Sequence, residues 1–488
     1  MMAALDVRPV FYVIGSLITI LAVAMLAPML IDLAAGSSDW KVFGTASALT
    51  LFFGVLLLLT NWTPSLTLNL RQTFLLTTLS WVIVCLFSAL PFMFSVVDLS
   101  VTDAYFEAMS GLTATGATVL SSLDALPTSL HIWRSLLQWF GGMGVIVLAV
   151  AILPLLGIGG RQILRAETPG PMKERQLTPR IAQTAKGLWY VYVLLTALCL
   201  IGYYLAGMQP ADAFIHAFST VSLGGFSSHD ASLGFFQSSA VESVAMVFML
   251  IAGINFGTHF IAFRRLSLAP YLADPEMRAF LLVIGSSVLL VAGYLFLHGA
   301  YEDFWLALRY AAFNVVSAAT TTGYATADYN AWPQFAPLFM VLLCAFCTCS
   351  LSAGGGIKMM RALVLFQTAF RELGRMVHPR AMLPVKLGGQ VVEDHIIFAV
   401  LGYMLVYGVT LTAITMLLVA TGVDFLTAFS AASACINNLG PGLGFVGPAG
   451  SYALLDNFQT WICTAAMLLG RHELITVFVV LTPAFWRT

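Results

Sequence analysis

Residues 303–326 read DFWLALRYAAFNVVSAATTTGYAT: an acid, an apolar run, then hydroxyl residues closing on Gly323. The same plan occurs at 103–118 (DAYFEAMSGLTATGAT), 212–227 (DAFIHAFSTVSLGGFS) and 424–444 (DFLTAFSAASACINNLGPGLG). Aligned on Gly116, Gly225, Gly323 and Gly440, the copies stand 109, 98 and 117 residues apart. Ser110, Ser219 and Ser317 each precede their glycine by six residues, and Ala434 holds that position in the fourth copy. A helix of about ten residues rises about 15 Å, half the roughly 30 Å hydrocarbon core of a bilayer. Each segment is therefore expected to re-enter the side it came from, with its opening acid suited to an N-cap. Irregular backbone at membrane depth is tolerated only when buried in protein or lining a watery cavity, so four such turns are most economically placed around one pore. There, glycine lets the chain take positive φ and aim successive carbonyls at the axis. Carbonyls replace the hydration shell of a monovalent cation, whereas carboxylate rings suit divalent ions, and the Thr/Asn/Gly cores of the four turns hold no carboxylate. The C-terminal, partly negative ends of the short helices favour a cation too.

The remaining chain reads as membrane. Of 488 residues, 59% are hydrophobic and 9% charged, against about 25% charged in soluble domains. A balance of 22 Lys+Arg to 23 Asp+Glu gives nucleic-acid binding no support. Apolar stretches of spanning length lie at about 9–34, 43–60, 73–95, 132–157, 187–207, 240–263, 279–299, 335–370, 396–421 and 457–486, which predicts ten transmembrane helices. The first is too long for a signal-peptide core and reads as a retained helix. The stretch 335–370 is too long for one crossing and should break at Ser350-Leu-Ser-Ala-Gly-Gly-Gly356. With the N-terminus inside, 18 of the 22 basic residues fall on the cytoplasmic side, and only Lys41, Arg134 and Arg309 fall outside. By the same placement 14 of the 23 acids, Glu107 and Glu242 among them, lie outside, where they would concentrate cations. The expected fold is an all-α integral membrane protein of four pseudo-symmetric helix-loop-helix repeats: a two-helix extension over 1–70, then repeats at 71–160, 161–266, 267–386 and 387–488. The seven cysteines lie in or beside apolar stretches and form neither a disulfide framework nor a zinc pattern.

At these residues the sequence resembles the Trk/Ktr/HKT superfamily of potassium transporters, whose single chain carries four helix, pore-loop, helix repeats. Against the channel signature Thr-Val-Gly-Tyr-Gly stand Ala114-Thr115-Gly116-Ala117-Thr118, Leu223-Gly224-Gly225-Phe226-Ser227, Thr321-Thr322-Gly323-Tyr324-Ala325 and Asn438-Leu439-Gly440-Pro441-Gly442, sharing only the central glycine. The resemblance implies a potassium filter at Ala114, Thr115, Gly116, Leu223, Gly224, Gly225, Thr321, Thr322, Gly323, Asn438, Leu439 and Gly440, with potassium as the ion held there. Gly116 implies potassium rather than sodium, since serine at that position goes with sodium transport in plant members. The stretches at 9–60 resemble the extra helical pair of the TrkH type, and Leu469-Gly-Arg-His-Glu-Leu-Ile-Thr-Val-Phe478 resembles its last helix. The resemblance further implies a bacterial inner membrane location, a homodimer, and a TrkA-type cytosolic regulator that binds the nucleotide, with no cofactor in this chain. The basic loops 161–186 and 358–386 are long enough to dock such a partner.

Arg471 is the basic residue set well inside a span, where it needs a polar or pore-facing site. The resemblance places it below the filter, and places Gly354, Gly355 and Gly356 in an intramembrane gating loop, with Lys358 just past it. The alternative is a local pair with Glu473 or a snorkelling arginine, although residues two apart on a helix do not face each other. An enzyme finds no footing. His472-Glu473 opens a zinc-protease pattern that fails at Thr476, and Gly354-Gly-Gly-Ile-Lys358 lacks the hydroxyl residue of a phosphate loop, Met359 standing there instead. A proton- or sodium-coupled secondary carrier is the nearer rival, but it calls for coupling acids at mid-membrane, and only Glu473 reads as one.

Overall fold

The computed structural model describes residues 6–63, 68–142, 144, 181–472 and 474–487. Glu473, the second half of the stretch 132–157 and the basic segment 161–180 lie outside the described residues. The described chain is mostly helical. Among the described residues six helices are long and apolar enough to cross a membrane: Arg8–Ala34, Trp40–Thr60, Arg71–Phe94, Lys186–Leu205, Pro275–Leu297 and Asp394–Ala420. Counting each of two bent helix pairs as one span gives eight.

The long helices wear their apolar side chains outward, as a lipid solvent demands: Phe52, Leu59, Leu205, Leu282, Leu297, Phe398 and Leu405 are all exposed. With lipid as apolar as leucine, close contact between helices comes from small residues and interhelical hydrogen bonds. Arg8–Ala24 lies against Trp40–Thr60 at Gly15 and Gly54, where a Cβ on Gly54 would sit 2.6 Å from Thr19 Oγ1. The Ser47 hydroxyl donates to Ala22 O at 2.7 Å across the same pair.

Three stretches depart from straight crossings. The stretch 240–263 is two helices, Ser239–Gly253 and Phe256–Arg265, bent by 95°. Asn255 stops one and caps the other, accepting from Gly257 N at 2.8 Å. The stretch 335–370 does break, but more widely than residues 350–356: the helix Phe335–Leu343 ends early and fifteen residues separate it from the next, Met359–Val377. The last stretch is divided into Asn457–Arg471, Ile475–Leu481 and Pro483–Trp486. The fold is also not purely helical, because Lys386–Leu387 and Gln390–Val391 form a small antiparallel hairpin. Its two-residue turn, Gly388 and Gly389, has φ +55° and +82°, the doubly positive geometry that a tight hairpin requires.

The four repeated segments are short helices at Val101–Leu112, Pro210–Val221, Phe304–Ala319 and Phe425–Asn437. They lie inside the protein, with Phe106, Ala108, Ala217, Phe313 and Ala432 fully buried. The opening acids do not cap uniformly. Asp424 is an N-cap and accepts from Thr427 N at 3.0 Å, and Asp303 is an N-cap without such a bond. Asp103 and Asp212 instead sit within the first turn, behind N-caps Ser100 and Gln209. Carboxylates there still suit the helix dipole, but the capping oxygen in the first copy is the Ser100 hydroxyl, accepting from Asp103 N.

Candidate functional site

Each short helix ends in the same way. The residue two before the shared glycine takes the left-handed conformation: Ala114 (φ 52°), Leu223 (φ 56°), Thr321 (φ 58°) and Asn438 (φ 54°). The next N–H, of Thr115, Gly224, Thr322 or Leu439, then folds back to the carbonyl of Ser110, Ser219, Ser317 or Ala434 at 2.8–2.9 Å. This is the closure that usually carries glycine at the left-handed position. Here only Asn438 is a residue that favours it. Holding a β-branched or bulky side chain there costs about 1–2 kcal/mol and persists because the surroundings over-determine it. The glycine follows, again at positive φ: 85°, 77°, 85° and 94° for Gly116, Gly225, Gly323 and Gly440. Alternation of left-handed and ordinary conformations thus runs through all four turns.

The turns close on one another in a ring. A Cβ added to Gly116 would strike Gly224 O; one on Gly225, Thr322 O; one on Gly323, Leu439 O; and one on Gly440 would come 2.7 Å from Thr115 O. Each glycine therefore faces the carbonyl just ahead of the next copy's glycine, in the order first, second, third, fourth and back to first. Gly116, Gly225 and Gly323 are partly exposed between buried neighbours, whereas Gly440 is buried and Pro441 takes the partly exposed place. The fourth turn is tied directly to the first by Asn438 Nδ2, which donates to Thr115 Oγ1 at 2.9 Å across 323 residues of sequence.

Behind the ring lies a polar layer that the sequence reading missed. Three residues before the shared serines stand Glu107, His216 and Asn314, and each holds the strand leaving its own turn. Glu107 accepts from Val119 N (3.1 Å) and Thr118 Oγ1 (3.0 Å), His216 Nε2 meets Ser227 Oγ at 2.9 Å, and Asn314 meets Thr326 through both its amide atoms. In the fourth copy Ser430 takes this part, accepting from Leu443 N at 2.8 Å. Glu107 is fully buried and is neutralised by Arg134 Nε at 2.8 Å, while Arg134 also donates to Ser227 O and lies over the Phe226 ring. Glu107 and Glu242, counted above among the acids that would concentrate cations, are instead each buried against an arginine. Glu242 is buried and takes a two-pronged bond from Arg309, 2.8 Å on each side. The signal in the sequence was a polar residue recurring three positions before the shared serine in the first three copies.

Two ring carbonyls are engaged by side chains: Gly224 O accepts from Gln138 Nε2 at 2.6 Å, and Gly440 O from Tyr452 at 2.9 Å. Gln138 also accepts from Phe226 N, so it clamps the second turn at both ends. Gln138→Leu is expected to weaken discrimination between potassium and sodium several-fold while the protein still folds, since it leaves one buried N–H unsatisfied at a cost of about 1–3 kcal/mol. Competitive flux with the two ions checks this.

Beneath the ring runs the segment 344–358. Gly354 faces Thr320 O and Thr321 Oγ1, and a Cβ on Gly355 would strike Asn437 O, so these glycines lie against the ends of the third and fourth short helices. Gly355 N donates to Thr321 Oγ1 at 2.9 Å. Gly356 (φ 80°) turns the chain away against Cys344 O and Ala345 O. Lys358 folds back, its ammonium bonding Gly354 O. Arg471 donates to Ala353 O (2.9 Å), Gly142 O (2.8 Å) and Gly141 O, which joins this segment to the first repeat. The structure therefore gathers all the expected filter and gate residues into one column. Above it, His229 bonds Asp124 and stacks on Phe235 at 3.5 Å, and the imidazole holds the Asp124 carboxyl below its ordinary range.

The chain has close relatives of known name. The profile of the TrkH family, described as cation transport protein, matches residues 40–487. The Trk system potassium uptake protein TrkH of Halomonas elongata is 43% identical, the match covering 99% of this chain and all of that one. The protein of the same name from Escherichia coli is 42% identical over 98% of this chain and 99% of its own. The crystal structure of the potassium transporter TrkH from Vibrio parahaemolyticus superposes with a TM-score of 0.90 at 41% identity, covering 99% of this chain and all of that one. These are transporters, not enzymes. A four-turn ring inside a set of apolar helices, a family profile running almost to its last residue and full-length relatives at this identity agree: the chain belongs to the TrkH family of cation transport proteins.

Proposed function

We propose that this protein takes up potassium through a pore along the axis of the four-turn ring. The observation that carries the reading is the ring itself: each glycine abuts the carbonyl of the next turn, a closure with no purpose in an ordinary set of loops. The names of the relatives supply the ion, and turns built from carbonyls and hydroxyls, without carboxylates, suit a monovalent cation. In this reading the twelve residues at 114–116, 223–225, 321–323 and 438–440 form the filter, and the four segments re-enter the membrane within ten spans divided into the two-helix extension and four repeats. The chain lies in a bacterial inner membrane with its N-terminus in the cytoplasm. It pairs as a homodimer and answers to a TrkA-type nucleotide-binding regulator on its cytoplasmic face.

The gate is the segment under the ring together with Arg471. A guanidinium about 8 Å from a passing cation repels it by roughly 2 kcal/mol at an effective dielectric of about 20, enough to slow permeation without abolishing it. Arg471→Ala is expected to raise flux several-fold, because it removes that charge and frees Ala353 O; shortening residues 350–356 is expected to make the pore leaky. Flux at or below wild type in both, at matched expression, sinks the gate. The pore itself is tested by potassium uptake into proteoliposomes of the purified chain, with and without an imposed proton gradient, for wild type and Gly323→Ser. Potassium-selective flux that needs no gradient and is disturbed by the substitution is the expected result. Gradient-dependent flux indifferent to Gly323 overturns it.

A further inference from the structure

The segment under the ring is fastened from a direction that the gate description leaves out. Glu276 stands in the first turn of the helix Pro275–Leu297, behind the N-cap Asp274, and is 1% exposed. Its Oε1 accepts two backbone N–H groups from elsewhere in the chain, Ser350 N at 2.6 Å and Met360 N at 3.0 Å. Those two residues bracket the segment. Between them lie Ala353, whose carbonyl takes Arg471, and Gly354 and Gly355, which rest against the third and fourth turns.

Met360 is the second residue of the helix Met359–Val377, so its N–H is one of the donors that a helix start leaves without an internal partner. The helix carries no side-chain cap of its own. A carboxylate from a different helix supplies the acceptor. Such charge-assisted bonds are roughly twice as strong as neutral ones, and the positive end of the helix dipole adds to them. Further backbone bonds tie the segment to the second repeat, Phe256 N to Leu351 O at 3.1 Å and Cys349 N to Gly253 O at 3.0 Å, and one, Met359 N to Thr348 O at 2.8 Å, joins its two flanks directly. Glu276 differs in fastening both ends of the segment to a third element through one atom, so that a shift of the helix Met359–Val377 breaks the bond that anchors the segment's exit to the helix Pro275–Leu297 beside its entrance.

We infer that Glu276 is the latch of the gate, a positioning residue that holds segment 350–360 shut under the ring until the helix 359–377 moves. The inference rests on the segment being the gate. The test is potassium flux from proteoliposomes of the full chain at matched reconstitution, for wild type, Glu276→Ala, Glu276→Gln and Met360→Pro, and for Glu276→Ala in the background with residues 350–356 shortened. Glu276→Ala is expected to raise flux by about fivefold to thirtyfold, the range that one or two lost hydrogen bonds confer on a two-state equilibrium. Glu276→Gln keeps one oxygen able to accept both N–H groups and should stay within about twofold of wild type. Met360→Pro removes one donor without touching the carboxylate, in a first helical turn that tolerates proline, and should open the pore as the alanine variant does. In the shortened background Glu276→Ala should add nothing. A leaky shortened chain beside unchanged or reduced flux in both Glu276→Ala and Met360→Pro overturns the latch and leaves the gate standing. A rise that persists in the shortened background also overturns it. If shortening alone leaves flux unchanged, the gate reading fails and the latch with it.

Discussion

Gly225→Ala lowers potassium uptake by on the order of 100-fold, the steepest loss expected from a methyl on any of the four ring glycines. Two costs combine. A non-glycine residue at φ +77° bears about 1–2 kcal/mol of backbone strain. The added carbon also falls on Thr322 O, the tightest approach in the ring, and either that carbonyl moves or the second turn does. At about 1.4 kcal/mol per tenfold, strain plus a displaced carbonyl reaches two orders of magnitude. Two comparisons separate these costs. Gly207→Ala carries comparable strain, φ +99°, with nothing within 4 Å of the new carbon, and should leave uptake near wild type. Gly440→Ala meets Thr115 O at the longer 2.7 Å and should lose less than Gly225→Ala. Equal effects at 207 and 225 would mean that strain, not ring contact, matters.

Arg134→Ala is expected to destabilise the protein by about 3–5 kcal/mol, the cost of leaving a buried carboxylate without its counter-charge. Glu107 has no solvent to turn to, being 0% exposed, and Arg134 also holds Ser227 O of the neighbouring turn. Thermal unfolding in detergent should show the loss. The double substitution Arg134→Met with Glu107→Leu recovers most of the stability, because no charge stays buried. It should not recover uptake, since Val119 N and Thr118 have lost the oxygen that fixes the strand leaving the first turn. Full uptake in the double variant would sink the idea that this layer shapes the ring.

The fold was legible where the pattern repeats. Four acid-apolar-glycine segments at near-equal spacing, with serines six residues before three of the glycines, already placed the short helices and the turns, and the run of three glycines at 354–356 marked a break in a stretch too long to cross. What stayed hidden has a common cause. Glu107, Glu242, Arg134 and Arg309 were counted one at a time, as charges on the outer side, although each finds its partner at a distance in sequence, 27 residues for one pair and 67 for the other. Gln138 and Glu276 act on backbone atoms of other segments, and no local spacing announces that. The caps of the first two short helices were misjudged because the acid three residues into a helix and the cap before it look alike when only one sequence is read. The hairpin at 386–391 is two residues a side, too short for any alternation to show.

The ring also constrains how the protein comes into being. Three of its four contacts join neighbours in the chain, and each can form as soon as the following repeat is in place. The fourth joins Gly440 and Asn438 to Thr115, and cannot exist until the last repeat has entered the membrane. Closing so long a loop is entropically slow and is repaid only at the end. During synthesis the first turn must therefore wait with its Thr115 hydroxyl and carbonyl without their final neighbours, in an unfinished protein with an open seam. A substitution at 115, 438 or 440 acts on a step that comes after every other contact of the ring, so its defect should surface as slow or incomplete maturation before it surfaces as altered transport.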